Sequence, residues 1–223
     1  MSENIGMTFY EGVNIEKIIS NKGYIESDGL GNLSKAINKG KGVIAIAGHI
    51  ANWEALAIKV AISGFPVNVV AREVRNSFFN QYLISLREKY GVNTIIRGEK
   101  TSTRKIISAF KNNEIIALLI DQDISAVQGV FVDFFGTPAF TPVAAASLAR
   151  KFNSPVVAAY TVREKEFGIK VVISDELPVT ITGNDELDDI RNTGFFTKTI
   201  EDIIRQRPEQ WVWWHDRWKS REE

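Results

Sequence analysis

The sequence contains two histidines, and both lie in tryptophan-bearing segments. His49 belongs to GHIANWE and His215 to WVWWHDRW, and these segments together hold all five tryptophans. Imidazole exchanges protons readily near neutral pH because its ordinary pKa lies close to neutrality. A histidine that is oriented by a carboxylate is a typical general base, and Glu54 follows His49 by five residues. The pair His49 and Glu54 is therefore the first candidate for a catalytic site.

The pattern around His49 predicts that it lies at the end of a strand. The apolar run VIAIA (43–47) precedes it, and Asn52 is a favourable cap for a helix that begins at Trp53. Open α/β sheets bind ligands at the carboxyl ends of their strands. We expect the strand-to-helix turn to bring Glu54 to the imidazole, where it would fix one tautomer. The pattern alone equally allows a hydrogen-bonded core histidine and an acidic residue that only favours the helix start.

Two more acidic residues follow another apolar run. Asp121 and Asp123 close the run IIALLI (115–120), so they are expected at the same sheet edge as His49, lining the same cleft. Paired carboxylates suit Mg²⁺, but a D-x-D pair also has many structural uses. The spacing around His49 does not match the HExxH zinc motif. We therefore expect no metal and no cofactor.

Strand and helix patterns alternate along the chain. Six runs rich in valine and isoleucine read as strands buried on both faces: 43–47, 67–71, 92–96, 115–120, 156–160 and 169–173. Helices are predicted over 76–90, around 106–110, from Thr141-Pro142 onward, and over 185–206 with Thr193-Gly194 as the point where it can break. The aromatic segment 131–142 reads as an apolar loop. The prediction is an α/β fold: a single domain, 1–223, with a largely parallel mixed sheet flanked by helices.

The composition limits the class of protein. The 223 residues are 44% hydrophobic and carry 27 basic and 27 acidic side chains, which predicts a globular domain without a net field that would attract nucleic acid. The absence of cysteine excludes a thiolate nucleophile and a disulfide framework. No apolar run approaches the roughly 20 residues that span a bilayer. The tryptophan-rich C-terminal segment indicates either docking onto the domain, which we favour, or contact with a membrane interface.

Several motifs occur in an order that resembles one known family. They are GHIANWE (48–54), AREVRN (71–76), REKYG (87–91), IDQD (120–123), GVFVDFFGTPAFTP (129–142), NSPVV (153–157) and PEQWVWWHDRW (208–218). The first looks like the H-x-x-x-x-[DE] motif of glycerolipid acyltransferases, in the H-x-x-N-W-E form of the bacterial lipid A biosynthesis (lauroyl/myristoyl) acyltransferases. The resemblance covers nearly the whole chain and implies a glycerolipid acyltransferase-like fold.

The resemblance implies roles for particular residues. His49 would be the general base and Glu54 its orienting carboxylate. The oxyanion would be stabilised either by backbone N–H groups at the helix start after Asn52 or by an arginine, with Arg87 as the first choice and Arg72 as the second. These arginines could also bind an anionic group of the donor or acceptor. The residues implied in substrate binding are Asn52, Trp53, Arg72, Asn76, Asp121, Asp123, Phe134, Phe135, Gly136 and Thr137. Among these, Phe134 and Phe135 would face the acyl chain.

The implied reaction moves a fatty acyl group from an acyl-carrier-protein or coenzyme A thioester to a hydroxyl or amine of a lipid acceptor such as a lipid A precursor. Direct attack by the acceptor needs no enzyme nucleophile, which agrees with a chain that lacks cysteine. Family members normally carry an N-terminal membrane helix before the segment that matches IGMTFYEG, so the given sequence is expected to be either a trimmed one or that of a peripheral member. We therefore expect a peripheral protein on the cytoplasmic face of the inner membrane, or otherwise a cytoplasmic one, with a membrane surface but no nucleic acid as partner.

Three alternatives stay open at the level of the sequence. The acceptor could be a lysophospholipid or a small soluble molecule. The chain could instead be a non-catalytic module that binds acyl lipids. It could also be a metal-dependent hydrolase that uses His49, Asp121 and Asp123.

Overall fold

The computed structural model describes residues 2–21, 23–164 and 168–221. In this part of the chain, seven strands form one sheet and two form a separate hairpin. The strands are β1 (Ile25–Asp28), β2 (Val43–Ala47), β3 (Val67–Ala71), β4 (Val92–Ile96), β5 (Ile115–Leu119), β6 (Gly129–Phe134), β7 (Thr137–Pro142), β8 (Val156–Arg163) and β9 (Ile169–Leu177). The sheet order is β1-β9-β8-β2-β5-β3-β4, and β6 pairs with β7.

The sheet is largely parallel. Among its described pairings, only that of β8 with β9 is antiparallel. β5 lies between β2 and β3, although β3 follows β2 in the chain. The carboxyl ends of β2 and β5 are therefore neighbours, with Ala47 paired to Leu119. The predicted α/β class with a largely parallel mixed sheet is confirmed.

Helices cover both faces of the sheet. They are α1 (Ser2–Val13), α2 (Ile15–Ser20), α3 (Leu30–Ile37), α4 (Trp53–Ile62), α5 (Ser77–Lys89), α6 (Ser102–Lys111), α7 (Ala144–Phe152) and α8 (Asp185–Gln206), followed by a short 3-10 helix (Pro208–Gln210). Buried residues of α2 to α5 pack on one face and those of α6 to α8 on the other. Alternate residues of β2 serve the two cores, because successive side chains of a strand point to opposite faces. Ala45 contributes to the first core and Ile44 to the second.

The hairpin β6–β7 corrects the prediction of an apolar loop over 131–142. Its turn residues, Phe135 and Gly136, both have positive φ, at 58° and 79°. A two-residue hairpin turn with this backbone usually carries Asn-Gly or Asp-Gly. Phenylalanine in the first position removes that signal from the sequence, which is why the hairpin was not predicted.

Two helix boundaries also differ from the prediction. Thr141 and Pro142 end β7, and α7 begins at Ala144. Thr141 is fully buried and accepts a hydrogen bond from Arg217 at 2.5 Å, so it does not cap the helix. α8 continues through Thr193 and Gly194, because this turn is buried against the hairpin. No helix in the described part of the chain is long and apolar enough to cross a bilayer.

Candidate active site

His49 is positioned by the end of β2 and the start of α4. Gly48 allows the chain to turn close to β5, because a side chain at this position would meet Asp121 Oδ2 at 3.3 Å and the Ile200 side chain at 3.2 Å. The His49 carbonyl accepts a hydrogen bond from Val212 N at 3.0 Å. The ring packs edge-on against Trp53, with the centroids 4.8 Å apart. His49 is thus held at the predicted strand end, with its side chain 17% exposed.

Asp121 is the carboxylate that contacts the imidazole. Its Oδ1 lies 2.8 Å from His49 Nδ1, and its Oδ2 accepts from the His49 backbone N–H at 2.7 Å. The same Oδ2 accepts from Trp211 Nε1 at 2.7 Å. Asp121 follows β5, and β5 pairs with β2, so the sheet order brings the two residues together. Asp121 was expected to line the same cleft as His49 and to bind substrate. It lies beside His49, where its carboxylate contacts the imidazole.

The charges of His49 and Asp121 shift the pKa of each other. Burial by itself lowers the pKa of His49, but the charge and hydrogen bond of Asp121 outweigh it, and Glu54 adds to the rise. Burial raises the pKa of Asp121, yet the His49 charge and the hydrogen bonds from His49 and Trp211 hold it well below its usual range. Asp121 is therefore ionised and only accepts hydrogen bonds. Consequently, Nδ1 of His49 carries a proton and Nε2 is the nitrogen that can receive one.

Glu54 occupies a different position from the one expected. Its two carboxylate oxygens accept from Arg87 Nε at 2.8 Å and Arg87 Nη2 at 2.6 Å. The dyad predicted between His49 and Glu54 is thus replaced by His49 with Asp121, because Asp121 reaches Nδ1 from the neighbouring strand. Burial lowers the pKa of Arg87, but the hydrogen bonds and charge of Glu54 raise it overall. Arg87, expected to be available for the oxyanion, is engaged in a bidentate ion pair.

An apolar cavity begins beside this ion pair. It lies between α4 and the sheet, with Trp53, Glu54 and Arg87 in its wall. The remaining lining comes from α3, α4 and the strands around β2: Leu33, Ala45, Ala47, Leu56, Ala57, Val60, Val67, Val69, Val70, Ala71, Ile115, Ala117, Leu118, Leu119, Val157, Ala159 and Ile173. Apart from the ion pair, the lining is hydrophobic, and many of its residues are alanine. The cavity therefore suits a linear hydrocarbon group better than a polar one.

The hairpin aromatics lie elsewhere. Phe134 is fully buried, with the Arg217 guanidinium 4.9 Å above its ring. Phe135 packs near Trp211, with Arg205 4.7 Å above its ring. Gly136 and Thr137 form the exposed tip of the hairpin. None of these four residues belongs to the lining of the apolar cavity between α4 and the sheet.

Two asparagines expected to bind substrate cap helices. Asn52 is fully buried, accepts from Ala55 N at 2.9 Å and donates to Glu11 Oε2 at 2.9 Å. Asn76 accepts from Phe79 N at 2.9 Å at the start of α5. Because the Asn52 side chain is fully buried and hydrogen-bonded to protein groups, the structure shows it as a helix cap.

Asp123 and Arg72 lie apart from the His49–Asp121 pair. Asp123, expected to bind substrate, is buried and accepts from Ser220 N at 2.8 Å and Ser220 Oγ at 3.0 Å, so it anchors the C-terminal segment. Arg72 is exposed just after β3, beside Arg97 at the end of β4. Burial and the neighbouring Arg72 charge both lower the pKa of Arg97. In the described residues, no cluster of three His, Asp or Glu side chains could hold a metal ion.

The sequence did not point to Trp211 or Gln122 as site residues. Trp211 is 1% exposed and donates to Asp121, and Gln122 Nε2 lies 3.4 Å from His49 Nε2. His215 Nε2 lies 3.0 Å from the Asp121 carbonyl oxygen, so His215 is a hydrogen-bonded residue beside the site. This position agrees with the docking expected of the C-terminal segment. Burial lowers the pKa of His215, and the nearby Asp121 charge only partly opposes this. Gln122 belongs to the IDQD motif and Trp211 to the PEQWVWWHDRW motif. Their distance along the chain gives no indication that the two residues meet at His49.

An α/β sheet with a histidine–aspartate pair beside an apolar cavity suits a general base that serves an acyl substrate. The sequence profile of the family described as bacterial lipid A biosynthesis acyltransferase matches residues 1–220. The chain belongs to this family.

Individual relatives have related names. The chain is 24% identical over 185 residues to a lipid A biosynthesis acyltransferase of Haemophilus influenzae, covering 83% of this chain and 56% of that protein. It is 25% identical over 200 residues to the lipid A biosynthesis palmitoleoyltransferase of Escherichia coli, covering 89% and 62%. It is 29% identical over 123 residues to a phosphatidylinositol mannoside acyltransferase of Mycobacterium tuberculosis, covering 54% and 39%. The chain thus matches between 39% and 62% of the length of these relatives.

A comparison with solved structures matches the chain to the crystal structure of the 1-acyl-sn-glycerophosphate (LPA) acyltransferase of Thermotoga maritima. The TM-score is 0.47 at 16% sequence identity, over 95% of this chain and 86% of the other.

Proposed function

We propose that this chain transfers a fatty acyl group from a thioester to a hydroxyl or amine of a lipid acceptor. The observation that carries the proposal is the pairing of His49 with a buried, ionised Asp121 beside an apolar cavity. The family of the chain supports the same reaction class. The acceptors named for its relatives, lipid A and phosphatidylinositol mannoside, favour a glycolipid acceptor.

His49 acts as the general base. Nε2 takes the proton of the acceptor hydroxyl while the acceptor oxygen attacks the thioester carbonyl carbon. The imidazolium that forms is stabilised by the Asp121 carboxylate on Nδ1. The tetrahedral intermediate then collapses, the carbon–sulfur bond breaks, and the leaving thiolate takes the proton back from Nε2. The ester and a free thiol are the products, and the chain needs no covalent intermediate.

The cavity holds the acyl chain of the thioester. Its lining includes Trp53, which packs against His49, and the Glu54–Arg87 ion pair. An acyl chain in the cavity would therefore place its carbonyl group near His49. Glu54 acts by fixing Arg87 and by adding negative charge near the imidazole.

We infer that the donor is an acyl-carrier-protein or coenzyme A thioester, because a thioester carries an activated acyl group that a deprotonated hydroxyl can attack without an enzyme nucleophile. A lipid acceptor is presented at a bilayer, so the chain would work at a membrane surface, and we place it on the cytoplasmic face of the inner membrane.

The test is acyl transfer followed by mass spectrometry of the acceptor lipid. The purified chain is incubated with an acyl-carrier-protein or coenzyme A thioester and a bacterial lipid extract. His49→Ala is expected to lower turnover by about 100-fold or more, since it removes the base. Glu54→Gln is expected to mimic Arg87→Gln, and the double variant should be no worse than either single one, because the two side chains work as a pair.

Two results would contradict the proposal. Undiminished turnover in the His49→Ala variant would remove the base from the mechanism. Tight binding of acyl lipid by the wild-type chain, with no acyl transfer from any thioester, would favour a lipid-binding module. Thermal unfolding of each variant serves as the control that lost activity is not lost folding.

A further inference from the structure

An exposed aromatic face lies on two neighbouring helices. On α1 it consists of Phe9, Tyr10 and Val13, which are 64%, 57% and 61% exposed. On α5 it consists of Phe78, Phe79 and Tyr82, which are 83%, 39% and 38% exposed. The Tyr82 hydroxyl donates to the Gly12 carbonyl at 3.1 Å, so the two helices are in contact. Apolar residues scattered singly on a surface need no explanation, but six on two touching helices form a patch.

This aromatic face borders the proposed active site. Thr8, the residue before Phe9, donates through Oγ1 to the Ala51 carbonyl at 2.8 Å, two residues beyond His49. α5 follows the carboxyl end of β3, the edge of the sheet at which His49 lies. At its other end α5 supplies Arg87 to the lining of the apolar cavity. A surface that covered the aromatic face would therefore lie next to helices that build the proposed site.

Cations accompany the aromatic rings. Arg72 and Arg75 are exposed on the loop between β3 and α5, and Arg97 follows β4 beside Arg72. None of the ion pairs found in the described parts of the chain involves these three guanidinium groups. Glu73 is the one acidic residue of the loop 72–76. Aromatic rings beside unpaired arginines match a bilayer surface, where rings sit at headgroup depth and cations meet anionic lipid.

We propose that this face, with Arg72 and Arg75 at its edge, docks the chain onto a bilayer that carries anionic headgroups. The choice of a bilayer rests on the charge of the loop and on the proposed function, which requires a lipid acceptor to reach His49. Docking through α1 and α5 holds the part of the chain that carries the proposed site at the membrane surface. The alternative to a bilayer is a second copy of the chain. That copy would have to place acidic residues opposite the arginines.

The test is co-sedimentation of the full chain with vesicles of phosphatidylcholine alone or of phosphatidylcholine mixed with phosphatidylglycerol. Binding is expected to the mixed vesicles and to weaken as salt is added, because exposed charges are screened. Replacing both Phe9 and Phe78 by serine is expected to lower the partition constant about tenfold or more. Arg75→Gln should lower it about fivefold, as expected for one cation near an anionic surface.

A matched control is available on the other side of the sheet. Phe195 is 43% exposed on α8, which packs against the opposite face from α5. Phe195→Ser should leave vesicle binding unchanged. An equal loss of binding in Phe195→Ser, or undiminished binding in Phe9→Ser/Phe78→Ser, would overturn the proposal. Concentration-dependent dimers that the double variant abolishes, without vesicle binding by the wild type, would also overturn it in favour of self-association.

The outcome is separable from that of the proposed function. Vesicle binding is measured without turnover, so an inactive chain still tests the docking face. Conversely, acyl transfer to a short-chain acceptor dissolved in water does not require docking. The Phe9→Ser/Phe78→Ser variant should keep that reaction while losing transfer to an acceptor embedded in vesicles.

Discussion

Asp121 governs His49 from a strand that is distant in sequence and adjacent in space. The two residues are 72 positions apart, yet three hydrogen bonds to the Asp121 carboxylate come from His49 N, His49 Nδ1 and Trp211 Nε1. An ionised carboxylate in this environment favours the protonated imidazole. Asp121, which follows β5, therefore determines both the tautomer and the basicity of His49, the proposed base.

The two histidines should titrate in opposite directions from the ordinary histidine pKa of about 6.5. The pKa of His49 lies above this value because the Asp121 contribution exceeds that of burial, and the pKa of His215 lies below it because burial dominates. NMR of the imidazole Cε1–H signals measures both, and the sequence contains no other histidine. His215→Gln assigns the two signals.

Asp121→Asn reverses the shift of His49. Without the carboxylate charge, burial should bring its pKa below the ordinary value, so the acid limb of kcat/KM moves to lower pH while kcat falls about 100-fold or more through loss of the correct tautomer. Glu54→Gln should shift the pKa of His49 less, as Asp121 makes the larger contribution. A larger shift in Glu54→Gln than in Asp121→Asn would show that Glu54 is the orienting carboxylate after all.

Folding stability follows from the same shifts. The raised pKa of His49 contributes stability that is fully present below about 6.5 and is lost as pH rises through its folded-state value. The lowered pKa of His215 has the opposite sign, since its contribution is present above about 6.5 and is lost as pH falls. The site therefore links protonation to folding through both histidines, in opposing directions.

At the scale of elements, α1 is tied to α4 through a buried carboxylate. Glu11 is fully buried and accepts from Asn52 Nδ2 at 2.9 Å, from the Tyr24 hydroxyl at 3.0 Å and from Arg163. Asn52 in turn caps α4, so the helix that carries Trp53 and Glu54 depends on α1 for its orientation. Through Glu11, the N-terminal helix thus supports the site.

Glu11→Gln should destabilise the fold by about 3 kcal/mol, because it leaves the Arg163 guanidinium without a charge partner in a largely buried position. Urea unfolding measures the change. The pKa of Tyr24, raised to about 12 by burial and by Glu11, should fall in the same variant, as followed by ultraviolet absorbance. The matched control is Glu176→Gln, which breaks an exposed pair with Lys39 and should change stability by less than about 1 kcal/mol. Equal effects in the two variants would refute the role of α1.

The sequence predicted those elements whose pattern is local. β2 and β5 are continuous apolar runs because both faces of these strands are buried, and Asn52 and Asn76 stand before helices that they cap. The hairpin β6–β7 was missed because Phe135 occupies a turn position with positive φ. The Asp121 partner of His49 was missed because it depends on β5 lying between β2 and β3, an order that no local pattern specifies.

At the scale of the whole molecule, the sheet order also creates the cavity. β5 next to β2 places Ala117 beside Ala45 in register, and both line the cavity beneath α4. Small side chains at these positions leave space that leucine or isoleucine would fill. In the proposed function this space accepts the acyl chain, so its depth would determine the preferred chain length.

Ala117→Leu should therefore shift the preference toward shorter acyl chains. One methylene in a hydrophobic pocket changes kcat/KM by about tenfold or more, so the ratio of long-chain to short-chain transfer should fall at least that much. Competition between two thioesters, with mass spectrometry of the products, measures the ratio. Ala144→Leu adds the same volume at an exposed position on α7, on the opposite face of the sheet, and should leave the ratio unchanged. If the ratio and the turnover were both unchanged in Ala117→Leu, the acyl chain would bind outside this cavity. If turnover with all chain lengths fell by the same factor, Ala117 would serve in packing alone.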